Sequence, residues 1–101
     1  MDVTESELSI ITEILQTLAA DCEVRAFGSR IKGTAKLHSD LDLALLSDEK
    51  LPLKRIFALQ EAFAVSDLPF RVDILDYRAI SQEFRDLIDA KYEIIQKLKA
   101  E

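Results

Sequence analysis

Two aspartates, Asp40 and Asp42, begin an apolar run that reads D-L-D-L-A-L-L, and they are the residues of this sequence best suited to chemistry. If the run is a β-strand, its two-residue period places both carboxylates on one face. Two like charges at the start of a buried strand repel each other and are costly to desolvate unless a cation or protons neutralise them. A hard divalent metal ion is the simplest compensation, because it prefers oxygen ligands.

Gly28 and Ser29 lie before this pair, with ten residues between Ser29 and Asp40, and they indicate phosphate binding. We expect a short helix to begin at or just after Ser29, and the backbone N–H groups at its start would suit phosphate oxygens. The segment is not a P-loop, because Gly33 is followed directly by Thr34 without the required lysine. The dinucleotide fingerprint G-x-G-x-x-G is absent as well. A third carboxylate, Asp73, follows about thirty positions after Asp42.

Alternating helices and strands must position these residues. The patterns predict helix over 5–20, strand over 23–27, a short helix ended by Gly33, strand over 40–46, an amphipathic helix from Pro52, strand over 70–75 and a last helix that is capped by Ser81 and extends to Leu98. This order predicts one α/β (α+β) domain over residues 1–101, with a small mixed sheet of about three strands flanked by helices. The strand over 40–46 is apolar on both faces beyond its aspartates, so we expect it to be central.

The charge and composition exclude several classes of protein. The net charge of −6 and the pI near 4.8 argue against direct nucleic-acid binding, which depends on basic patches. No apolar run approaches membrane-spanning length, and the acidic N-terminus does not resemble a secretory signal, so we expect a cytoplasmic protein. One cysteine and one histidine cannot form a soft-metal site, which makes zinc improbable.

Residues 28–43 and 71–76, which read G-S-R-I-K-G-T-A-K-L-H-S-D-L-D-L and R-V-D-I-L-D, resemble the minimal nucleotidyltransferases (MNT) of the DNA polymerase β-like superfamily. These are the small antitoxins of HEPN/MNT toxin–antitoxin pairs, and the resemblance covers essentially the whole chain. It implies a polymerase β-like core in which the following residues act: Gly28, Ser29, Arg30 and Ser39 at the nucleotide, and Asp40, Asp42 and Asp73 as catalytic metal ligands. The implied cofactor is Mg²⁺, as two ions, with Mn²⁺ as a possible substitute.

The resemblance further implies a protein adenylyltransferase antitoxin, which transfers AMP from ATP to a tyrosine hydroxyl of a HEPN-type toxin. Two metal ions can stabilise both the attacking oxygen and the leaving pyrophosphate in such an in-line displacement. We hypothesise that Asp73 also accepts the proton of the acceptor hydroxyl. The alternative is a non-catalytic module with a vestigial nucleotide site, which neutralises its partner by binding alone. Transfer to a small molecule such as an aminoglycoside is disfavoured, because no second domain is present to recognise that substrate.

Several single residues have a second interpretation. Asp76 rivals Asp73 as third carboxylate, but it alternates to the other face of its strand, which favours a turn role. His38 fits a surface loop better than a magnesium site. Ser39 could shape the turn before the strand as well as bind a ligand. Tyr77 and Tyr92 could accept a nucleotide, although packing is the simpler role. Four basic residues could attract a triphosphate or lie in a solvated loop, namely Arg25, Arg30, Lys32 and Lys36.

Overall fold

Four helices and four strands follow one another in the computed structural model, which describes residues 1–36 and 39–98. In chain order they are α1 (Glu5–Leu18), β1 (Glu23–Phe27), α2 (Ser29–Lys32), β2 (Leu41–Leu46), α3 (Leu53–Ala64), β3 (Val72–Asp76), α4 (Gln82–Ala90) and β4 (Glu93–Gln96). The predicted surface position of His38 lies outside the described residues. No helix in the described ranges has the length and apolar character that crossing a membrane requires.

The strands form one mixed sheet in the order β3-β2-β1-β4. β2 is parallel to β3 and antiparallel to β1, and β4 is antiparallel to β1. The predicted α/β class, the mixed sheet and the central position of β2 are therefore confirmed. The predicted number of about three strands is wrong, because a fourth strand is added at the edge of β1.

The fourth strand corrects the prediction that the last helix extends to Leu98. Helix α4 is capped by Ser81 as predicted, but it ends at Ala90, and Lys91 is already extended with φ −158° and ψ 111°. Ile94 then lies opposite Arg25 in the β1–β4 pairing. The free edge of β1 offers backbone hydrogen bonds to a segment rich in β-branched residues, and that pairing overrides the helical spacing of the apolar side chains.

The two faces of the sheet have different coverings, because side chains alternate along each strand. On one face, the strands pack with α1 and α3 into a single apolar core that includes Ile11, Leu15, Val24, Ala26, Leu41, Leu43, Leu45, Leu59, Phe63 and Ile74. Helix α1 begins with the predicted capping box, in which Thr4 and Glu7 exchange hydrogen bonds. The opposite face carries Arg25, Phe27, Asp42 and Asp73 and is only partly covered by α4, through contacts such as Phe27 with Phe84.

Candidate active site

The parallel pairing of β2 with β3 brings the predicted carboxylates together. Asp42 and Asp73 are register partners on these neighbouring strands, whose axes lie about 4.8 Å apart in such a ladder. Asp40 lies just before β2 and two residues before Asp42. All three aspartates therefore lie at one edge of the open sheet face, as the geometric argument from the sequence requires.

Arg71 lies among these carboxylates, a position that no motif in the sequence predicted. One terminal nitrogen of its guanidinium is 3.0 Å from Asp40 Oδ2 and 3.5 Å from Asp73 Oδ1. Arg71 precedes Asp73 by two residues, so both side chains occupy the same face of extended backbone. That spacing was the available signal, but the link to Asp40 depends on the pairing of two strands that are distant in sequence.

The neighbouring charges of the cluster affect the pKa of Asp42. The pKa of Asp42 is raised, first because the carboxylate is partly buried and then because Asp73 and Asp40 repel its negative charge. Arg71 opposes this effect and favours the charged form. Burial and the two neighbouring carboxylates thus both disfavour the charged form of Asp42, whereas a bound cation would favour it.

The turn at Gly28 lies directly against Asp42. Phe27 is the register partner of Asp42, and Gly28 follows it with φ +86°, a conformation that favours glycine. A Cβ atom on Gly28 would lie 2.3 Å from Asp42 Oδ2, so any larger residue at this position would have to displace the Asp42 carboxylate. Ser29 is then the first residue of α2. The short helix ends at Gly33 in a left-handed conformation, as predicted.

Arg30 and Ser39 have contacts that favour structural roles over the predicted contact with the nucleotide. Arg30 is only 7% exposed, and its guanidinium donates hydrogen bonds to the carbonyl oxygens of Ser39 and Asp2. The same group lies 4.0 Å from the centre of the Phe70 ring. Ser39 Oγ accepts a hydrogen bond from the backbone N–H of Lys36 at 2.8 Å, which shapes the turn before β2. Nucleotide binding by Arg30 and Ser39 stays a prediction.

Arg25 does not join Arg30 in one basic patch. It pairs with Glu23 and Asp89, and its guanidinium lies 5.2 Å and 4.7 Å from the ring centres of Tyr77 and Tyr92. Tyr77 donates its hydroxyl proton to Asp89 at 2.7 Å. Both tyrosines thus contribute to packing on the α4 side of the sheet, in line with the simpler of the two predicted roles.

Asp76 has the turn role that the alternation pattern favoured. It is buried, and its carboxylate accepts hydrogen bonds from the backbone N–H groups of Leu51 and Arg78. These contacts join the end of β3 to the start of α3, away from Asp73. Asp73 is therefore the stronger candidate for the third carboxylate.

The donor chemistry at this edge fits a hard divalent cation. Three carboxylates supply oxygen ligands, and two of them, Asp73 and Asp40, act on Asp42 as like charges that a cation would offset. In the conformation observed for residues 1–36 and 39–98, no three acidic, histidine or cysteine side chains already converge as a ligand set. The guanidinium of Arg71 contacts both Asp40 and Asp73, so two of the three carboxylates already share one positively charged partner.

Known proteins resemble this chain in sequence. The family model described as "Polymerase beta, Nucleotidyltransferase" matches residues 9–100. A curated protein of Haemophilus influenzae, "Probable protein adenylyltransferase MntA", is 50% identical over 97 residues, which cover 96% of this chain and 85% of the relative.

Solved structures resemble it in fold. A crystal structure of a toxin–antitoxin with AMP-PNP contains a chain that superposes with a TM-score of 0.75 at 25% identity, over 87% of this chain and 71% of that one. The complex of a tri-AMPylated Shewanella oneidensis HEPN toxin with its MNT antitoxin gives a TM-score of 0.70 at 22% identity, over 90% and 70% of the two chains. At 22% identity, the second likeness concerns the fold alone.

Proposed function

The chain belongs to the polymerase beta nucleotidyltransferase family, and from this premise we propose that it is a protein adenylyltransferase antitoxin. It transfers AMP from ATP to a tyrosine hydroxyl of a HEPN-type toxin and thereby neutralises the toxin. The observation that carries this proposal is the register pairing of Asp42 with Asp73 beside the Gly28 turn. The name of the Haemophilus relative and the solved complexes of antitoxins with AMP-PNP or with an AMPylated HEPN toxin support the same assignment.

The reaction is a displacement at the α-phosphorus of ATP. The tyrosine oxygen forms a bond to that phosphorus while the bond to pyrophosphate breaks, and the hydroxyl proton leaves for a base. Asp73 is the proposed base, because its side chain is 46% exposed and the acceptor hydroxyl can reach it from solvent. Gly28 lets the backbone approach the β and γ phosphates closely, and Ser29 offers its hydroxyl to the same oxygens.

Asp40, Asp42 and Asp73 are the residues that would hold Mg²⁺, or Mn²⁺ in its place. When bound, two metal ions would stabilise the negative charge on the attacking and leaving oxygens. The chain itself provides the negative potential that attracts the metal and the turn that orients the triphosphate. ATP is available in the cytoplasm, the compartment expected from the sequence.

A partner must present the second substrate, and the surface is suited to binding one. Several large apolar side chains are exposed, including Leu53, Phe57, Val65 and Leu87 at 61–73% exposure. Such a surface fits a binding module as well as an enzyme. The presence of three clustered carboxylates favours the enzyme, because a vestigial site has no use for like charges that repel one another.

The mass of the toxin after incubation separates the two functions. A purified HEPN-type toxin, which we expect the neighbouring gene to encode, is mixed with the chain, ATP and Mg²⁺, and the intact mass of the toxin is measured. An increase by one or more AMP units supports the adenylyltransferase. An unchanged mass together with tight binding supports the non-catalytic module.

A further inference from the structure

The backbone of Arg71 is held by the sheet, whereas its side chain is largely exposed to solvent. Its carbonyl oxygen accepts a hydrogen bond from the backbone N–H of Leu41 at 2.9 Å, which ties it to the start of β2 beside the site. Its side chain is nevertheless 73% exposed. An exposed arginine loses rotamer freedom when it is held in one place, so the attraction of the carboxylates must account for its position.

The position of the guanidinium is that of a counter-ion. It donates a hydrogen bond to Asp40 and lies 3.5 Å from Asp73, on the two carboxylates that flank Asp42 in the cluster. A guanidinium that pairs with Asp40 and Asp73 offsets part of their negative charge, and it repels a metal ion that approaches the same carboxylates. Arg71 and a divalent cation therefore compete for these two carboxylates.

We propose that Arg71 is a positioning residue whose guanidinium is the counter-ion of the aspartate cluster when no divalent cation is bound. This inference rests on the proposed function. Without a divalent cation, Arg71 holds Asp40 and Asp73 towards one point and limits the repulsion within the cluster. The arriving cation displaces the guanidinium. Because the side chain is exposed, it can leave without disturbing the core. The affinity of the chain for a divalent cation is thus set lower than its three carboxylates alone would give.

Direct titration with Mn²⁺ in the absence of ATP tests this proposal. Free Mn²⁺ is counted by electron paramagnetic resonance at low ionic strength for the wild-type chain, Arg71→Gln and Arg71→Lys. We expect Arg71→Gln to bind Mn²⁺ roughly tenfold more tightly, because a unit charge a few ångströms from a divalent ion is removed. Arg71→Lys retains the charge and should stay close to the wild type. The tenfold difference should shrink in about 0.5 M KCl, since exposed charges are screened.

Lys54→Gln is the matched control for the change in net charge. Lys54 is exposed in the first turn of α3, which follows the other end of β2 from the aspartates. This variant should bind Mn²⁺ like the wild type. Equal or weaker Mn²⁺ binding by Arg71→Gln, or an equal gain in Lys54→Gln, would overturn the counter-ion role. The mass assay uses the wild-type chain, and its result does not depend on the role of Arg71. AMP transfer in that assay would support the proposed function even if the counter-ion role were wrong.

Discussion

Gly28 and Asp42 are in such close contact that a methyl group on the glycine would lie 2.3 Å from the Asp42 carboxylate. The turn at Gly28 is proposed to receive the phosphates, and Asp42 is one of the proposed metal ligands. The two parts of the site are therefore in direct contact. A side chain at position 28 must move the Asp42 carboxylate, which links the two parts of the site physically.

Replacing Gly28 with alanine should impair transfer through this contact. The methyl group would force the Asp42 side chain aside, and a displacement of about 1 Å in a catalytic site can cost roughly 100-fold in rate. Gly33→Ala is the matched control, because Gly33 has a similar φ of +77° but no atom within 4 Å of its would-be Cβ. Gly33→Ala should lose roughly 1–2 kcal/mol of stability from its left-handed backbone, and Gly28→Ala roughly 1–3 kcal/mol, because its ψ of −159° lies in a region that only glycine adopts readily. Transfer rates and urea unfolding curves would show whether only Gly28→Ala loses the activity.

Asp42→Asn should stabilise the fold while abolishing transfer. The substitution removes a partly buried charge that Asp73 and Asp40 repel, and like charges opposite each other on neighbouring strands cost roughly 0.2–1 kcal/mol. The free energy of unfolding at pH 7 without divalent cations should rise by about that amount. Unfolding in urea measures it, and a destabilised variant would contradict the interpretation of the cluster.

Asp73→Asn tests the proposed base. The amide cannot accept the proton of the acceptor hydroxyl, and general-base catalysis typically contributes about 10²–10⁴-fold. We expect a loss of transfer within that range at saturating Mg²⁺, with the affinity for the toxin unchanged. Wild-type rates in this variant at saturating Mg²⁺ would exclude Asp73 as the base.

The ion pair between Asp21 and Arg55 should give the stability a dependence on acid. Hydrogen bonds from Arg55 are the main reason that the pKa of Asp21 falls from 3.8 to about 2. Because the pKa is lower in the folded chain, the pair stabilises the fold above about pH 4, and this contribution is lost as the pH falls towards about 2. Asp21→Asn should cost roughly 0.2–1 kcal/mol at pH 7, since the carboxylate is 61% exposed.

Urea unfolding at pH 7 and at about pH 3 measures this effect, and the difference between the wild type and Asp21→Asn should be smaller at the lower pH. Asp67→Asn, at an exposed aspartate after α3, is the control. If the loss of unfolding free energy in Asp21→Asn did not change with pH, the ion pair with Arg55 would not be the source of that loss.

Local signals allowed much of the fold to be predicted, because they depend on neighbours in sequence. The capping box at Thr4, the turn at Gly28 and the alternation of β2 and β3 each involve residues a few positions apart. Strand β4 could not be predicted in this way. Its residues carry a helical spacing that is continuous with α4, and only the free edge of β1, nearly seventy residues earlier, makes it a strand.

The same distinction applies to the candidate site. The spacing of Asp40 with Asp42 and the alternation around Asp73 predicted carboxylates that face the same way, and the register of β2 with β3 agrees. The position of Arg71 between two of them follows from that register rather than from any motif. The contacts of Arg30 could not be predicted either. Its guanidinium lies beside Ser39 and Phe70 because of how the loop before β2 folds.

The dependence of AMP transfer on the aspartate cluster tests the central claim most directly. The toxin is incubated with ATP, Mg²⁺ and either the wild-type chain, Asp40→Asn or Asp42→Asn, and its intact mass is followed over time while binding of each variant to the toxin is measured. We expect the wild type to add AMP to the toxin, and both variants to bind the toxin equally well without modifying it. Modification by Asp42→Asn at the wild-type rate, or no modification by the wild type despite tight binding, would show that the aspartate cluster is not the catalytic site of an adenylyltransferase.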